Sequence, residues 1–413
     1  MRAKYRIALA FLSIAVLAGC RSNTKISVIQ GPGISNTSLM VSMDEICKGK
    51  VEGFVGDELF VSSKNGVSLE FYKVGAASRD KQKIFTQPYN QSYKVIISRD
   101  SKYLMYDNYL INLDDKNITL LHGVDNSIAK NKLKISDVQD YSFYGNHEVI
   151  LTNPFLYLKK YFGWNIYGME SYSGGSTTTK SIKFVEPSAD KNFDFNNIKA
   201  PDINEISHAV LDIDNLKYVF LGFDSKTNEN NLYVLDIYKK KFILIDSRVN
   251  GYALSPEGNE IAYVKSIEDD LSQDRLVISD MEGNEKREIS SKLKISELSW
   301  SNDSNWIAFS GGERNESDIF IVNRSGAKEE QLTQDINSEG KIFWSANGKL
   351  AFSAKNNENI DENRAYLVCL NTGAANNNSP LPVDKDKERL VQELIKTLRW
   401  ETDEYIKSNT KEE

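Results

Sequence analysis

The stretch "ALSPEGNEIAYVKS" spans residues 253–266, and "LSWSNDSNWIAFSGG" follows the same plan at 298–312. Both run an apolar segment into a tight polar turn and out into a second apolar segment. The second copy reads on as far as residue 333. "LSW" is a short strand. "SNDSN" is a turn, because Asn, Asp and Ser side chains bond to nearby backbone and stabilise chain reversals. "WIAFS" is a strand, "GGERNES" a polar loop and "DIFIV" another strand. "NRSGA" is a second turn, and "KEEQLT" is a polar outer strand. Four short strands joined by hairpins thus fill about 36 residues.

A four-stranded antiparallel sheet with two apolar faces cannot bury both faces alone. Copies stacked face to face around an axis bury them against each other, which is the β-propeller solution. Further copies stand at 54–86, 95–122, from 141, 210–246, 253–290 and 342–373. The apolar residue after each turn is Leu59, Leu104, Val149, Val219, Ile261, Ile307 and Leu350. Their spacings are about 45, 45, 70, 42, 46 and 43 residues. The expected fold is therefore all-β, a β-propeller of four-stranded antiparallel blades. Seven units fit, with six or eight as alternatives, and the third carries an insertion of about 25 residues.

The segments "SPEGNEIAY" at 255–263 and "IFIVNRSGAKEEQLT" at 319–333 resemble the repeat of TolB-like (WD40-like) propellers. That repeat also occurs in the non-catalytic propeller domains of prolyl oligopeptidases. The resemblance is weaker before residue 210. TolB propellers have six blades and follow an N-terminal α/β domain, for which this chain leaves no room. The resemblance therefore implies the fold and not a Tol-Pal role.

The N-terminus reads as a targeting segment. "MRAKYR" is basic, and "IALAFLSIAVLA" at 7–18 is an apolar run of signal-peptide length, too short to span a bilayer. It ends in Leu17-Ala18-Gly19-Cys20, which resembles the bacterial lipoprotein lipobox. The resemblance implies cleavage before Cys20 and lipidation of its thiol, and Arg21 leans the sorting towards the outer membrane. Two or three acyl chains, at about 0.8 kcal/mol per buried methylene, hold a protein firmly on a membrane. The expected segments are a signal peptide at 1–19, a lipid-anchored tether at 20–37, the propeller at 38–380, and a helix with a polar tail at 381–413. Cleavage leaves 48 Lys and Arg against 58 Asp and Glu, a net charge near −10. With no basic block, this argues against nucleic acid as a partner.

Propellers close when an N-terminal strand completes the last blade, and either "SLMVS" at 38–42 or "ISVIQ" at 26–30 suits that role. Cys47 follows the first, and Cys369 lies in the last unit. If closure brings them together, they form a disulfide that locks the ring, nominally worth about 5 kcal/mol for so long a loop. The alternative is two separate thiols packed in a core. In the C-terminal segment, Leu390, Val391, Leu394, Ile395 and Leu398 form one helical stripe, with Asp384 or Asp386 placed to cap it.

The insertion within 154–205 holds Phe155, Tyr157, Tyr161, Phe162, Trp164, Tyr167 and Tyr172. Aromatics interleaved with Lys suit a ledge for a partner or a sugar, with Tyr157, Tyr161, Trp164, Tyr167 and Tyr172 as the contacts. The alternative is that they are strand positions packed against adjacent blades. No catalytic constellation is legible. His122, His147 and His208 are far apart, and there is no metal-ligand spacing, nucleophile elbow or phosphate loop. The expectation is a non-enzymatic, cofactor-free and metal-free envelope lipoprotein in the periplasm or at the cell surface. Its propeller binds an envelope protein partner and its membrane contact is the lipid on Cys20. The alternative is a carbohydrate or small-ligand binder using residues 155–172.

Overall fold

The computed structural model describes residues 27–29, 39–89, 93, 95–98, 101–106, 109–116, 118–120, 142–144, 148–150, 165–166, 198–203, 205–212, 214–267, 273–292, 294–312, 317–333, 337–338, 341–356, 359–371 and 385–392. The chain begins with β1 (Ser27–Ile29) and β2 (Leu39–Lys48). β3 (Lys50–Val55), β4 (Glu58–Asn65), β5 (Ser68–Val74) and β6 (Lys81–Pro88) form an antiparallel sheet in chain order. β7 (Val95–Ile97), β8 (Tyr103–Tyr106), β9 (Tyr109–Asn112) and β10 (Ile118–Leu120) form the next. β11 (Ser142–Tyr144) pairs with β12 (Glu148–Ile150). β13 (Asn165–Ile166) precedes the meander β14 (Glu205–Asp212), β15 (Lys217–Asp224), β16 (Glu229–Asp236) and β17 (Lys241–Ser247).

β18 (Val249–Leu254), β19 (Glu260–Ser266), β20 (Asp274–Asp280) and β21 (Arg287–Lys292) repeat the plan. So do β22 (Ile295–Trp300), β23 (Trp306–Gly311), β24 (Asp318–Asn323) and β25 (Glu329–Gln331). β26 (Asn337–Ser338), β27 (Phe343–Trp344), β28 (Lys349–Asn356) and β29 (Asn359–Asn371) share one sheet with β1 and β2. Helix α1 covers residues 385–392. Among the described residues the strands make seven sheets. The fold is all-β and of the β-propeller class, with a C-terminal helix.

The repeated turn has a physical cause. Ser255, Ser301 and Ser345 each open a strand-one to strand-two turn, and each is 2% exposed or less. Their Oγ atoms accept hydrogen bonds from Glu260 N (3.1 Å), Trp306 N (2.9 Å) and Lys349 N (2.9 Å). Ser98 does the same for Tyr103 N at 2.9 Å. Three residues after each serine the backbone turns left-handed, at Ser101, Gly258, Ser304 and Gly348. The serine thus satisfies a backbone N–H that the reversal leaves unpaired. The strand-three to strand-four turns use Asx chemistry instead. Asp236, Asp280 and Asn323 accept from Lys239 N, Asn284 N and Lys328 N.

Two compact units divide the chain, 1–91 with 293–377 and 92–292 with 378–413. In the first, Trp306, Ala308, Ile319 and Ile321 of one sheet pack on Leu350, Phe352 and Val368 of the closing sheet. The other face of the closing sheet, with Ala351, Ala365 and Leu367, packs on Val51, Leu59, Val61 and Val74. In the second unit, Val219, Leu232, Val234 and Ile245 pack on Val249, Ile261, Tyr263 and Val277. Of the seven apolar residues aligned from sequence, Leu59, Leu104, Val219, Ile261, Ile307 and Leu350 are all 0% exposed. Val149 stands on β12.

Both N-terminal candidates join the closing sheet. β2 pairs with β29, and β1 pairs with the outer edge of β2. The pairing does not bring the cysteines together. Cys369 lies opposite Ser42 and Cys47 opposite Ala365, four positions away along the ladder, or about 13 Å at strand rise. A disulfide needs Cα atoms within about 7 Å. Cys47 and Cys369 are accordingly free thiols, half-buried against the core shared with the β3–β6 sheet. Burial pushes the Cys47 thiol above its ordinary range, which favours its protonated form.

Candidate functional site

Regularity fails at one recurring place, the first strand of the sheets. Register shifts interrupt β3 between Val51 and Gly53, β14 between Ser207 and Val210, β18 between Val249 and Gly251, and β22 between Ser296 and Ser299. In the closing sheet the first strand is split into β26 and β27, which both pair with β28. Bulges re-aim side chains and end pairing, which is why they gather beside working surfaces. Here they turn out Ser207–His208, Asn250 and Glu297. His208 and Glu297 sit in the left-handed region at φ 49° and 46°. Both are accessible to solvent. Glu297 is nonetheless crowded by protein, and burial pushes its carboxyl up while Lys341 pulls it the other way.

The β14 edge is the most elaborated of these. His208 Nδ1 lies 3.3 Å from Ser207 Oγ. Tyr252, on the first strand of the next sheet, donates its hydroxyl to the carbonyls of His208 and Val219, the latter at 2.7 Å. That bond fixes the bulge. Alongside, β13 adds a parallel strand, with Asn165 opposite Glu205 and Ile166 opposite Ile206. β13 belongs to the aromatic insertion, so the insertion is hydrogen-bonded to the sheet two residues before the bulge.

The aromatic residues singled out from sequence, Tyr157, Tyr161, Trp164, Tyr167 and Tyr172, lie outside the described residues, as do Cys20, His122, His147 and residues 393–413. Trp164 and Tyr167 are the covalent neighbours of β13 in sequence. Sequence reasoning set His208 aside as one of three distant histidines and missed the bulges, which leave no periodic signal. The only cue was the failure of strict alternation in "EISHAVLD".

Around the bulges, charge is used to join sheets. Asp246 at the end of β17 accepts from Tyr263 Oη (2.8 Å), Lys265 Nζ (2.6 Å) and the Ser247 amide (2.9 Å). Lys286 Nζ approaches its other face at 3.3 Å. Burial pushes the Asp246 carboxyl up, but these hydrogen bonds outweigh it and hold the group below the usual carboxylate range. The same carboxylate and burial drive the Tyr263 hydroxyl well above its ordinary value. Asp274, 2% exposed and on β20, gathers Ser266 Oγ at 3.3 Å and Asn250 Nδ2 at 3.5 Å. Among the described residues no group of three or more His, Cys, Asp or Glu is placed to hold a metal ion. Nor is any described helix long and apolar enough to cross a membrane.

No family model matches the chain. No curated protein matches it either. Among solved structures, a putative TolB from Agrobacterium tumefaciens is 11% identical, with 69% of this chain and 76% of that one covered and a TM-score of 0.34. An oligogalacturonate lyase in complex with manganese is 11% identical over 90% of this chain and 89% of its own, at a TM-score of 0.32. The β-propeller domain of the Trilobed protease from Pyrococcus furiosus is 17% identical over 39% of this chain, at a TM-score of 0.31. The match spans about half, 52%, of that domain's chain. The fold assignment rests on the strand order itself.

Proposed function

We propose that this chain is a lipid-anchored scaffold of the bacterial cell envelope, whose propeller presents a fixed surface to a protein partner without catalysing a reaction. The anchor is the lipid on Cys20, the membrane is the outer one, and the propeller stands in the periplasm or at the cell surface. The observation that carries the reading is the pairing of β13 with β14. It ties an insertion rich in Tyr and Trp to a sheet whose turns are held by Asp212 and Asp236, which accept from Asn215 N and Lys239 N. Aromatic side chains held on a rigid frame supply large contact area at low entropic cost, which is the chemistry of protein-binding hot spots. The six residues between Cys20 and β1 keep the closing sheet within about 25 Å of the anchor.

The test is chemical cross-linking in intact cells expressing the tagged full chain, with Cys20→Ala and Trp164→Ala/Tyr167→Ala forms beside it. The expected result is a specific envelope protein that co-purifies with the wild type and is lost or strongly reduced with both variants. Equal recovery from all three forms would remove the role of both the anchor and the insertion. Absence of any protein, together with glycan binding that Trp164→Ala abolishes, would replace the scaffold with a carbohydrate-binding propeller.

A further inference from the structure

At one end of the second unit three elements of distant sequence meet. The β14–β15 turn holds Asn215, whose amide and Nδ2 donate to the Asp212 carboxylate at 3.2 and 2.8 Å. The β18–β19 turn of the next sheet abuts that pair. A Cβ built on Gly258 would lie 1.9 Å from Asn215 Nδ2 and 2.6 Å from Asp212 Oδ2. The third element is α1. Its Lys387 donates from Nζ to Asn215 Oδ1 at 2.9 Å, across 172 residues of sequence. Asn215 therefore uses its amide oxygen towards the helix and its amide nitrogen towards its own turn, while the neighbouring turn presses on both.

We infer that α1 is a strap. Lys387 fastens it to the β14–β15 turn where that turn meets the β18–β19 turn, so the docked helix stiffens the junction between two neighbouring sheets. Three features support this. Leu390 and Val391, the apolar residues of the described helix, are only half-buried. Lys387 is close enough to Lys217, at the start of β15, to help lower its ammonium pKa, a shift led by burial and opposed by Asp236 and Asp212. Gly258, the crowded residue, is in the left-handed conformation at φ 66°, and its missing Cβ is what lets the abutting turn approach Asn215 and Asp212 so closely. A charged hydrogen bond is a reversible fastener, in contrast to the apolar faces that join the sheets themselves.

Two readouts on the full chain test the strap. One is the rate of trypsin cleavage after Arg389. The other is amide hydrogen exchange in peptides covering 212–217 and 253–260, with 295–331 as the internal control of folding. Lys387→Glu sets a carboxylate against Asn215 and Asp212. It is expected to speed cleavage after Arg389 and raise exchange in both turns by about tenfold, the loss expected for one charged hydrogen bond. Exchange in 295–331 should stay unchanged, and Lys387→Arg, which keeps a donor, should restore both readouts. Cleavage unchanged by Lys387→Glu would show that Lys387 does not hold the helix. Faster cleavage with unchanged turn exchange would show a helix that docks without stiffening anything. Either result overturns the inference.

Discussion

The β18–β21 and β3–β6 sheets make the same reversal by different means. In the former, Ser255 locks a long turn through Glu260 N and Gly258 takes the left-handed position. In the latter the β3–β4 turn has no serine. Val55 pairs with Glu58 across a two-residue turn in which Gly56 is left-handed at φ 62°. Yet the residue that follows each turn, Ile261 or Leu59, is 0% exposed. The core position is kept while the turn chemistry is exchanged. Packing between sheets therefore sets the fold, and the serine lock is a local addition to it.

The sharpest way to break that comparison is in the core. Leu59→Ala and Ile307→Ala should each cost about 2–5 kcal/mol in urea unfolding, because both side chains are 0% exposed. A cost near zero for Leu59 would mean that the sheet without a serine lock is not held by the same packing. Next come the turns. Ser301→Ala strands the buried Trp306 N–H and should cost about 1–3 kcal/mol. Gly258→Ala and Gly56→Ala both oppose a left-handed backbone, worth about 1 kcal/mol. Only at Gly258 does the new Cβ also collide with Asn215 and Asp212, whereas Gly56 faces open space. Gly258→Ala should therefore be clearly the worse of the two in a thermal melt, and equal costs would refute the crowding.

A smaller, pH-dependent effect is expected at Asp246. Its folded-state pKa is below the unfolded value, so its contribution is fully present above about pH 3.9 and is lost as pH falls through the folded value. The Tm gap between wild type and Asp246→Asn should be open at pH 6 and close on acidification below pH 4. A gap independent of pH would assign the cost of the variant to geometry rather than charge. The smallest effect belongs to the Lys226–Asp202 pair, whose side chains are 75% and 81% exposed. Asp202→Asn should leave the urea-unfolding midpoint unchanged, because a pair this exposed is screened by solvent.

The reading of "LSWSNDSNWIAFS" as strand, turn and strand holds because its apolar alternation and turn residues are local signals, and β22 and β23 fall on it. The same locality explains why six of the aligned apolar residues are sealed in the core. The closure was legible only as two alternatives, and the structure uses both segments side by side. The cysteine register was not legible, since nothing near Cys47 encodes which of the distant residues 365 or 369 it faces. The bulges and the parallel β13 were missed for a related reason. A one-residue slip in a strand alters pairing without altering composition, and a two-residue strand is too short to carry a period. Of the candidate site, the aromatic insertion was visible as composition, whereas its attachment beside His208 appears only in three dimensions.

The pairing of β2 with β29 joins Met40 to Asn371. A ribosome adding roughly 5–20 residues per second needs roughly 15–65 s to travel between them. Throughout that interval the first strand of the closing sheet has been made and its partner has not. Its open edge is the kind that pairs with the wrong chain. A nascent chain of this design therefore has to be kept from pairing early, and a chain that ends before β29 leaves β2 without its partner.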